Sequence, residues 1–273
     1  MGAQLFEVSK ADRAARAPAD DDALVVLDGV SKAYANGTAA LGDVSFTMRR
    51  GEFVTLVGPS GCGKSTLLRI VAGLSTVSGG TVTVAGMAPE QARREHGDMA
   101  FVFQDATLLP WRTVLRNVEL PLQLARLAAA GRKARAQRAL SAVGLSDVAR
   151  AYPRQLSGGM RMRVSIARAL VTDPCVLLMD EPFGALDELA RSRLNVELLR
   201  ISAQAGWTVL FVTHNVFEAV FLSSRILVMS PRPGRIVADI PIGLPSPRLP
   251  EIRTSLEFNV IASNVLASMH ESD

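Results

Sequence analysis

The sequence has only two cysteines in 273 residues, and aromatic residues make up 5% of it. Cys62 lies in a glycine-rich turn and Cys175 opens a later apolar segment, so no structural disulfide is expected between them. We interpret Cys62 as a small loop residue rather than a nucleophile, because nothing near it in the sequence supplies a base. The cysteines therefore give no indication of thiol chemistry.

The sequence also lacks a long apolar run and a strong charge bias. No apolar run approaches the roughly 18 residues that a membrane-spanning helix needs. Residues 1–22 mix alanine, arginine and aspartate, so we predict a disordered tail rather than a secretion signal, and a protein kept in the cytosol. The net charge of +4, from 30 basic and 26 acidic residues, is too even to indicate nucleic acid, although it suits docking at an anionic membrane surface.

The apolar residues, 48% of the chain, indicate one large globular domain or two small ones. Alternating apolar and polar residues predict strands within 24–53, and a further strand is expected at 81–84. Apolar runs predict buried strands at 99–103, 176–179, 208–212 and 226–229, with a short strand at 235–240. Helical patterns that begin near Asp187 and Phe217 separate the later strands. This alternation predicts an α/β fold with a parallel sheet.

Two further segments have helical patterns. Residues 114–150 are rich in leucine, alanine and arginine, and we expect breaks at Gly131 and Gly144. A terminal amphipathic helix is predicted from about residue 251 to 269. Its expected apolar side consists of Leu256, Val260, Ile261, Val265 and Met269.

The most specific motif is Gly-Pro-Ser-Gly-Cys-Gly-Lys-Ser-Thr at residues 58–66, between an apolar strand and a helix-like segment. Glycines let the backbone curl so that several N–H groups converge on one anion at the positive end of a helix dipole. Lys64 would reach the β- and γ-phosphates, and the Ser65 hydroxyl would reach Mg²⁺. The predicted phosphate-binding residues are Gly58, Ser60, Gly61, Cys62, Gly63, Lys64, Ser65 and Thr66.

Two carboxylates follow the apolar run at 176–179. A buried strand would place Asp180 at its carboxyl edge, beside the phosphate loop, where it can hold Mg²⁺ directly or through water. Glu181 would then polarise a water for in-line attack on the γ-phosphate. The pair therefore predicts hydrolysis, and a chain that only binds nucleotide would have no use for Glu181.

A second anion site is predicted about twenty residues before these carboxylates. Leu-Ser-Gly-Gly-Met at residues 156–160 offers the Ser157 hydroxyl and the amides of Gly158 and Gly159 at a helix start. Since the chain already has one phosphate site, this second site needs a second phosphate or a second subunit.

The order of these motifs resembles the ATP-binding subunits of ABC transporters from about residue 24 to 240. The phosphate loop, residues 156–160, residues 176–181 and residues 184–187 match the family's Walker A, signature, Walker B and D-loop motifs. The resemblance implies that Tyr34 stacks on adenine and that His214 is the switch histidine at the γ-phosphate. It also implies that Gln104 acts at the Mg²⁺ and catalytic site and lies between the nucleotide and the membrane subunits.

The family resemblance implies an α/β fold of the P-loop NTPase type. It would have a RecA-like parallel-sheet core, an antiparallel β subdomain and an α-helical subdomain at about 105–160. The ATPase domain would span residues 23–243, with a C-terminal extension at 244–273. ATP and Mg²⁺ are the implied cofactors, and an ATP-bound, head-to-tail homodimer is the implied active state.

Two sequence segments are similar to those of importer ATPases of the nitrate, sulfonate and taurine group. They are residues 104–114 and 228–236. This resemblance implies a peripheral protein on the cytoplasmic face of the inner membrane, bound to integral-membrane permeases and served by a substrate-binding protein. An export ATPase and a non-transport ABC ATPase are the alternatives, and the permease partner would discriminate them. Nothing in the chain chooses among nitrate, taurine, alkyl sulfonates, cyanate and thiamine-precursor pyrimidines.

Two positions depart from the usual family pattern. Met162 stands where a glutamine often follows the signature, and Asn215 replaces the frequent aspartate after the switch histidine. Neither change removes an essential charge from the nucleotide site, so we expect at most reduced or retuned turnover.

Overall fold

The computed structural model describes residues 23–95, 99–184, 186–245 and 248–270. The predicted tail at residues 1–22 lies outside these ranges. Among the described residues, no helix combines the length and the apolar character needed to cross a membrane. The domain limits expected from the sequence, 23–243 and 244–273, stay predictions.

The strands belong to two sheets. In chain order they are β1 (Ala23–Ala33), β2 (Ala39–Arg49), β3 (Phe53–Val57), β4 (Gly79–Val84), β5 (Met99–Val102), β6 (Val176–Asp180), β7 (Thr208–Val212), β8 (Arg225–Met229) and β9 (Ile236–Pro241). The smaller sheet has the order β2-β1-β4 and is antiparallel throughout. Its inward-facing residues, among them Leu27, Val44 and Met48, form the alternating pattern that predicted these strands.

The larger sheet has the order β5-β6-β7-β3-β8-β9, in which only β9 runs antiparallel to its neighbour. Every residue of β3, β6 and β7 is buried, as expected for parallel strands that are covered on both faces. These three strands are adjacent, so the segments that follow them meet at one edge. The predicted α/β fold with a parallel-sheet core and an antiparallel β region is confirmed.

The helices cover the sheets and, between β5 and β6, form a helical region that shares the main hydrophobic core with the larger sheet. They are α1 (Lys64–Val71), α2 (Pro89–Glu95), α3 (Val114–Val118), α4 (Leu120–Leu124), α5 (Ala129–Ala142), α6 (Gly158–Leu170), α7 (Glu188–Ala205), α8 (Val216–Leu222) and α9 (Leu256–His270). Gly144 ends the α5 segment with a φ of 67°. The break expected at Gly131 is wrong, because Gly131 lies in the first turn of α5, where amide groups have no intrahelical partner to lose.

The expectation of a buried strand at 99–103 is only partly right. β5 ends at Val102, which is buried, whereas its other three residues are half-buried and Phe103 is 37% exposed. The reason is position, since β5 is an edge strand with one neighbour, β6. An apolar run does not distinguish an edge strand from a central one.

The C-terminal segment, residues 248–270, packs on α8 through a face that partly matches the expected one, since Val265 is buried and Ile261 and Met269 pack against the core as predicted. A 3₁₀ turn covers Pro250–Thr254, and α9 then buries Phe258, Ala262 and Val265. Leu256 and Val260 are 80% and 50% exposed, so their predicted place on the core side is wrong. Apolar residues occur on more than one side of α9, and spacing alone does not decide which side meets the core.

Two contacts fasten this segment to α8. The buried Arg248 guanidinium donates from Nη1 to the carbonyl oxygens of Val220, Phe221 and Ser223, at the carboxyl end of the helix. The ring of Phe258 stacks on that of Phe217, with centroids 6.3 Å apart. Cations near helix C-termini are favourable because they satisfy carbonyl groups that lack intrahelical donors.

Candidate functional site

The phosphate loop joins the end of β3 to the start of α1. Gly58, Gly61 and Gly63 have φ values of 155°, 77° and 108°, which L side chains rarely adopt. A Cβ atom on Gly63 would stand 2.6 Å from a methyl carbon of Leu41 and 2.8 Å from the carbonyl oxygen of Ala40. The loop therefore needs glycine both for its curvature and for its close packing on β2. No side chain caps the N-terminus of α1 by a hydrogen bond.

Lys64 lies folded over the phosphate loop. Its side chain is 5% exposed, and Nζ donates to the carbonyl oxygens of Gly58 and Pro59 at 2.8 and 2.9 Å. Nζ also lies 3.7 Å from Sγ of Cys62, which is itself buried. The loop thus holds a cation on its own carbonyl groups, within reach of any phosphate that its amides bind.

Ser65 and Asp180 bring two hard oxygen donors together. The Ser65 hydroxyl donates to Oδ1 of Asp180 at 2.8 Å, across the edge between α1 and β6. Burial raises the pKa of Asp180, while the Ser65 hydrogen bond and the charge of Arg69 act in the opposite direction. A hydroxyl and a carboxylate fit Mg²⁺, which binds one or two protein oxygens together with substrate phosphates.

Glu181 adopts a strained backbone beside His214. Its φ of 43° lies in the left-handed region, where a non-glycine residue is uncommon. Its amide donates to the carbonyl oxygen of Val212 on the neighbouring strand, and its Oε2 lies 3.2 Å from Nδ1 of His214. Strain of this kind persists where surrounding structure enforces it, and it is concentrated at functional sites.

A buried network supports the segment that carries His214, and the sequence analysis missed it. The Thr213 hydroxyl accepts from the amide of Asn215 at 3.0 Å and donates to Oε2 of Glu218 at 2.5 Å. The Asn215 side chain caps α8 by accepting from the amide of Glu218. Burial raises the pKa of Glu218. Asn215 followed three residues later by Glu218 resembles a capping box, and this spacing could have revealed the network.

We expect Thr213→Val to lower kcat by roughly tenfold to a hundredfold, because small displacements of positioned groups are costly. The change keeps the branched shape but leaves the Asn215 amide and the Glu218 carboxyl without their shared partner, at about 1–3 kcal/mol of stability. Steady-state ATPase kinetics and thermal unfolding measure both effects. Thr213→Ser, which keeps the hydroxyl, is the matched control. Wild-type kcat in Thr213→Val would show that the network does not position His214.

Tyr34 borders the same cavity as the phosphate loop. Its ring is 42% exposed after the end of β1, and its hydroxyl lies 3.0 Å from Oγ1 of Thr66. Ser60, Lys64 and Glu181 also line this cavity. The structure therefore brings the predicted aromatic, phosphate-binding and acidic residues to one place.

The signature residues, 156–160, lie outside the cavity that the phosphate loop lines. Ser157 caps α6, and its hydroxyl accepts from the amide of Met160 at 3.3 Å. Ser157, Gly158 and Gly159 line a second cavity together with Asp187. One chain thus has two separate, open sites with anion-binding character.

Two other sequence positions also lie outside the phosphate-loop cavity. Gln104 is exposed just beyond β5 and is not among the residues that line that cavity. Met162, the departure within the signature helix, is 5% exposed and belongs to the main hydrophobic core. Met162 therefore acts through packing and not through contact with a ligand.

Comparisons with known proteins agree with this geometry. A family model described as ABC transporter matches residues 41–184, just over half of the chain. The taurine import ATP-binding protein TauB of Rhizobium johnstonii is 44% identical over 246 residues, covering 88% of this chain and 92% of the relative. The aliphatic sulfonates import ATP-binding protein SsuB of Bacillus cereus is 43% identical over 245 residues, covering 89% and 94%.

Solved structures give the same result. A dimeric ATP-binding cassette in a post-hydrolysis state, bound to ADP and Pi, superposes with a TM-score of 0.72 at 34% identity. The match covers 80% of this chain and 99% of that chain. The extent of the family match and the identity to these relatives, together with the geometry of the phosphate loop, establish that the chain belongs to the ABC transporter family and is an ATPase.

Proposed function

We propose that this chain is the ATP-hydrolysing subunit of a membrane importer for a small solute of the nitrate, sulfonate and taurine class. The named import functions of two relatives, each more than 40% identical over most of the chain, support this assignment. One observation carries the mechanism: the phosphate loop and the signature residues line separate cavities of one chain. Two copies arranged head to tail would join each loop to the signature of the partner.

In this arrangement each chain binds ATP with its own loop. The exposed ring of Tyr34 stacks on adenine, and the loop residues 58–66 surround the phosphates with amide groups and the charge of Lys64. Ser65, Asp180 and Gln104 would hold Mg²⁺, which would supply positive charge to offset that of the phosphates. Ser65 and Asp180 already lie within hydrogen-bonding distance, whereas Gln104 has to approach as the site closes.

Hydrolysis follows when the partner covers the site. Ser157 and the amides of Gly158 and Gly159 from the second chain bind the γ-phosphate and exclude bulk water, which strengthens the electrostatic interactions inside. Glu181 orients the attacking water and accepts its proton as the water oxygen bonds to the γ-phosphorus and the bond from that phosphorus to ADP breaks. His214, held beside Glu181, contacts the γ-phosphate. An isolated chain should therefore hydrolyse ATP slowly.

The segment after β5 would transmit closure to the permease. It contains Trp111, which is 72% exposed, and it leads to Leu124, which is 75% exposed. Tryptophan is enriched at protein–protein interfaces relative to the rest of the protein surface. We therefore place the permease contact on residues 104–124, at the cytoplasmic face of the membrane, with the substrate-binding protein acting on the opposite side.

The test is to purify a tagged Glu181→Gln variant from native membranes with ATP and identify the proteins that accompany it by mass spectrometry. We expect a small multi-span permease, whose companion binding protein can then be screened for its ligand. Wild-type protein purified without ATP is the control for nonspecific association. A soluble or nucleic-acid partner without a permease would overturn the transport function but not the ATPase activity.

A further inference from the structure

The turn at residues 230–235, between β8 and β9, packs directly against the phosphate loop; we call it the strap turn. Arg232 donates from Nε and Nη2 to the carbonyl oxygen of Gly61, at 3.1 and 2.9 Å. A Cβ atom on Gly234 would stand 2.0 Å from the carbonyl oxygen of Cys62, so two backbones meet there. The sequence of this turn contributed only to the family resemblance, and the ATP site described above assigns it no role.

The strap turn is also fixed to β2, on the other side of the loop. The amide of Gly234 donates to the carbonyl oxygen of Ala40, and the amide of Gly42 donates to the carbonyl oxygen of Gly234, both at 3.0 Å. Gly63 packs closely on Ala40 and Leu41. The phosphate loop is therefore held between β2 and the strap turn, and Arg232 is the side chain that joins the turn to the loop.

The charge of Arg232 lies where a nucleotide would bind. Its exposed side chain lines the same cavity as Lys64, Ser65 and Tyr34. A guanidinium has five N–H donors, and within the described ranges Arg232 uses two of them on Gly61, which leaves three for other oxygen acceptors. Arginine is well suited to phosphate because these donors are coplanar and always charged.

We propose that Arg232 is a nucleotide-binding residue of this ATPase. It fixes the Gly61 carbonyl group so that the loop amides converge on the phosphates, and it adds a second cation beside Lys64. The inference rests on ATP binding at this site and extends it to a residue outside the phosphate loop, the Asp180–Glu181 pair and the signature.

The matched control is Arg235, which carries the same charge in the same strap turn. Its Nε lies beside Gly42, 3.4 Å from where a Cβ atom would be. Among the described residues, its guanidinium makes no hydrogen bond to the phosphate loop. A comparison of Arg232→Ala with Arg235→Ala therefore separates the contact with the loop from the loss of one positive charge.

The experiment is calorimetric titration of the full chain with ATP and with ADP at low and high salt. We expect Arg232→Ala to weaken ATP binding by about tenfold, more at low salt than at high salt, because charge-assisted hydrogen bonds and long-range attraction are both lost. Arg232→Lys keeps the positive charge but lacks the coplanar donors of the guanidinium, so it should recover part of the affinity for ATP. Arg235→Ala should bind like the wild type, and the Tm of all variants should be unchanged.

The inference would be overturned by wild-type affinity in Arg232→Ala, or by an equal loss in Arg235→Ala. A fall in the Tm of Arg232→Ala that accounts for its lost affinity would also overturn it, as would a Lys variant with no recovery. A wild-type chain that binds no ATP would refute the nucleotide site itself, whereas normal wild-type binding beside an unaffected Arg232→Ala would refute only the role of Arg232. The import function is tested separately, by whether a permease copurifies with the Glu181→Gln variant.

Discussion

Glu181→Gln is expected to lower the steady-state ATPase rate by about a hundredfold to ten-thousandfold, the range for loss of a general base, while ATP still binds. The amide has nearly the size of the carboxylate, so it can keep the contact with His214 and the left-handed backbone. It cannot accept the proton of the attacking water. Phosphate release measures the rate, and titration with ATP measures the affinity.

The same variant should accumulate as an ATP-bound dimer, because the site closes without the step that reopens it. Size-exclusion chromatography with and without ATP reports this state. Glu188→Gln is the matched control, since Glu188 is 67% exposed at the start of α7 and forms an ion pair with Arg191 on its own helix. If the Glu181→Gln variant hydrolysed ATP near the wild-type rate, Glu181 would not be the residue that accepts the proton of the attacking water.

Lys64→Ala is expected to weaken ATP binding by at least about a hundredfold, equivalent to roughly 2.7 kcal/mol or more of binding free energy. The change removes the cation from the centre of the loop, where its low exposure keeps solvent from screening it. It also leaves the carbonyl groups of Gly58 and Pro59 without their donor, which disturbs the curvature that lets the amides converge.

Titration with ATP measures this loss, and thermal unfolding checks that the fold is kept. Lys133→Ala is the control, because Lys133 is exposed on α5, in the helical region, and changes the net charge by the same amount. ATP binding by Lys64→Ala at wild-type strength would mean that the loop amides and Arg232 supply the affinity without Lys64.

The parallel core could be predicted because its signals are local. The strands β3, β6 and β7 are mostly apolar. The positions of the loop after β3 and of the carboxylates at the end of β6 follow from chain order and the rule that parallel strands end at one edge. The positions of Lys64, Asp180 and Glu181 then need no knowledge of distant contacts.

What could not be predicted depends on tertiary packing. The exposed face of α9 is decided by where Phe258 meets Phe217, and the half-burial of β5 is decided by its place at the sheet edge. The contact of Arg232 with Gly61 joins residues that are 171 positions apart. No periodicity in the sequence encodes a contact of that range, whereas the capping pair Asn215 and Glu218 was visible and was missed.

The attachment of Arg248 and Phe258 to α8 gives the C-terminal segment a part in the energetics of the catalytic region. α8 begins two residues after His214, and its last carbonyl groups bind Arg248. Opening of α8 would break the Arg248 hydrogen bonds and the ring stack, and detachment of residues 248–270 would break the same contacts, so α8 and this segment form one cooperative unit. Amide hydrogens in α8 and α9 should exchange with solvent at matched rates. The C-terminal helix α9 would then help to determine how long the folded state of the segment that holds His214 persists.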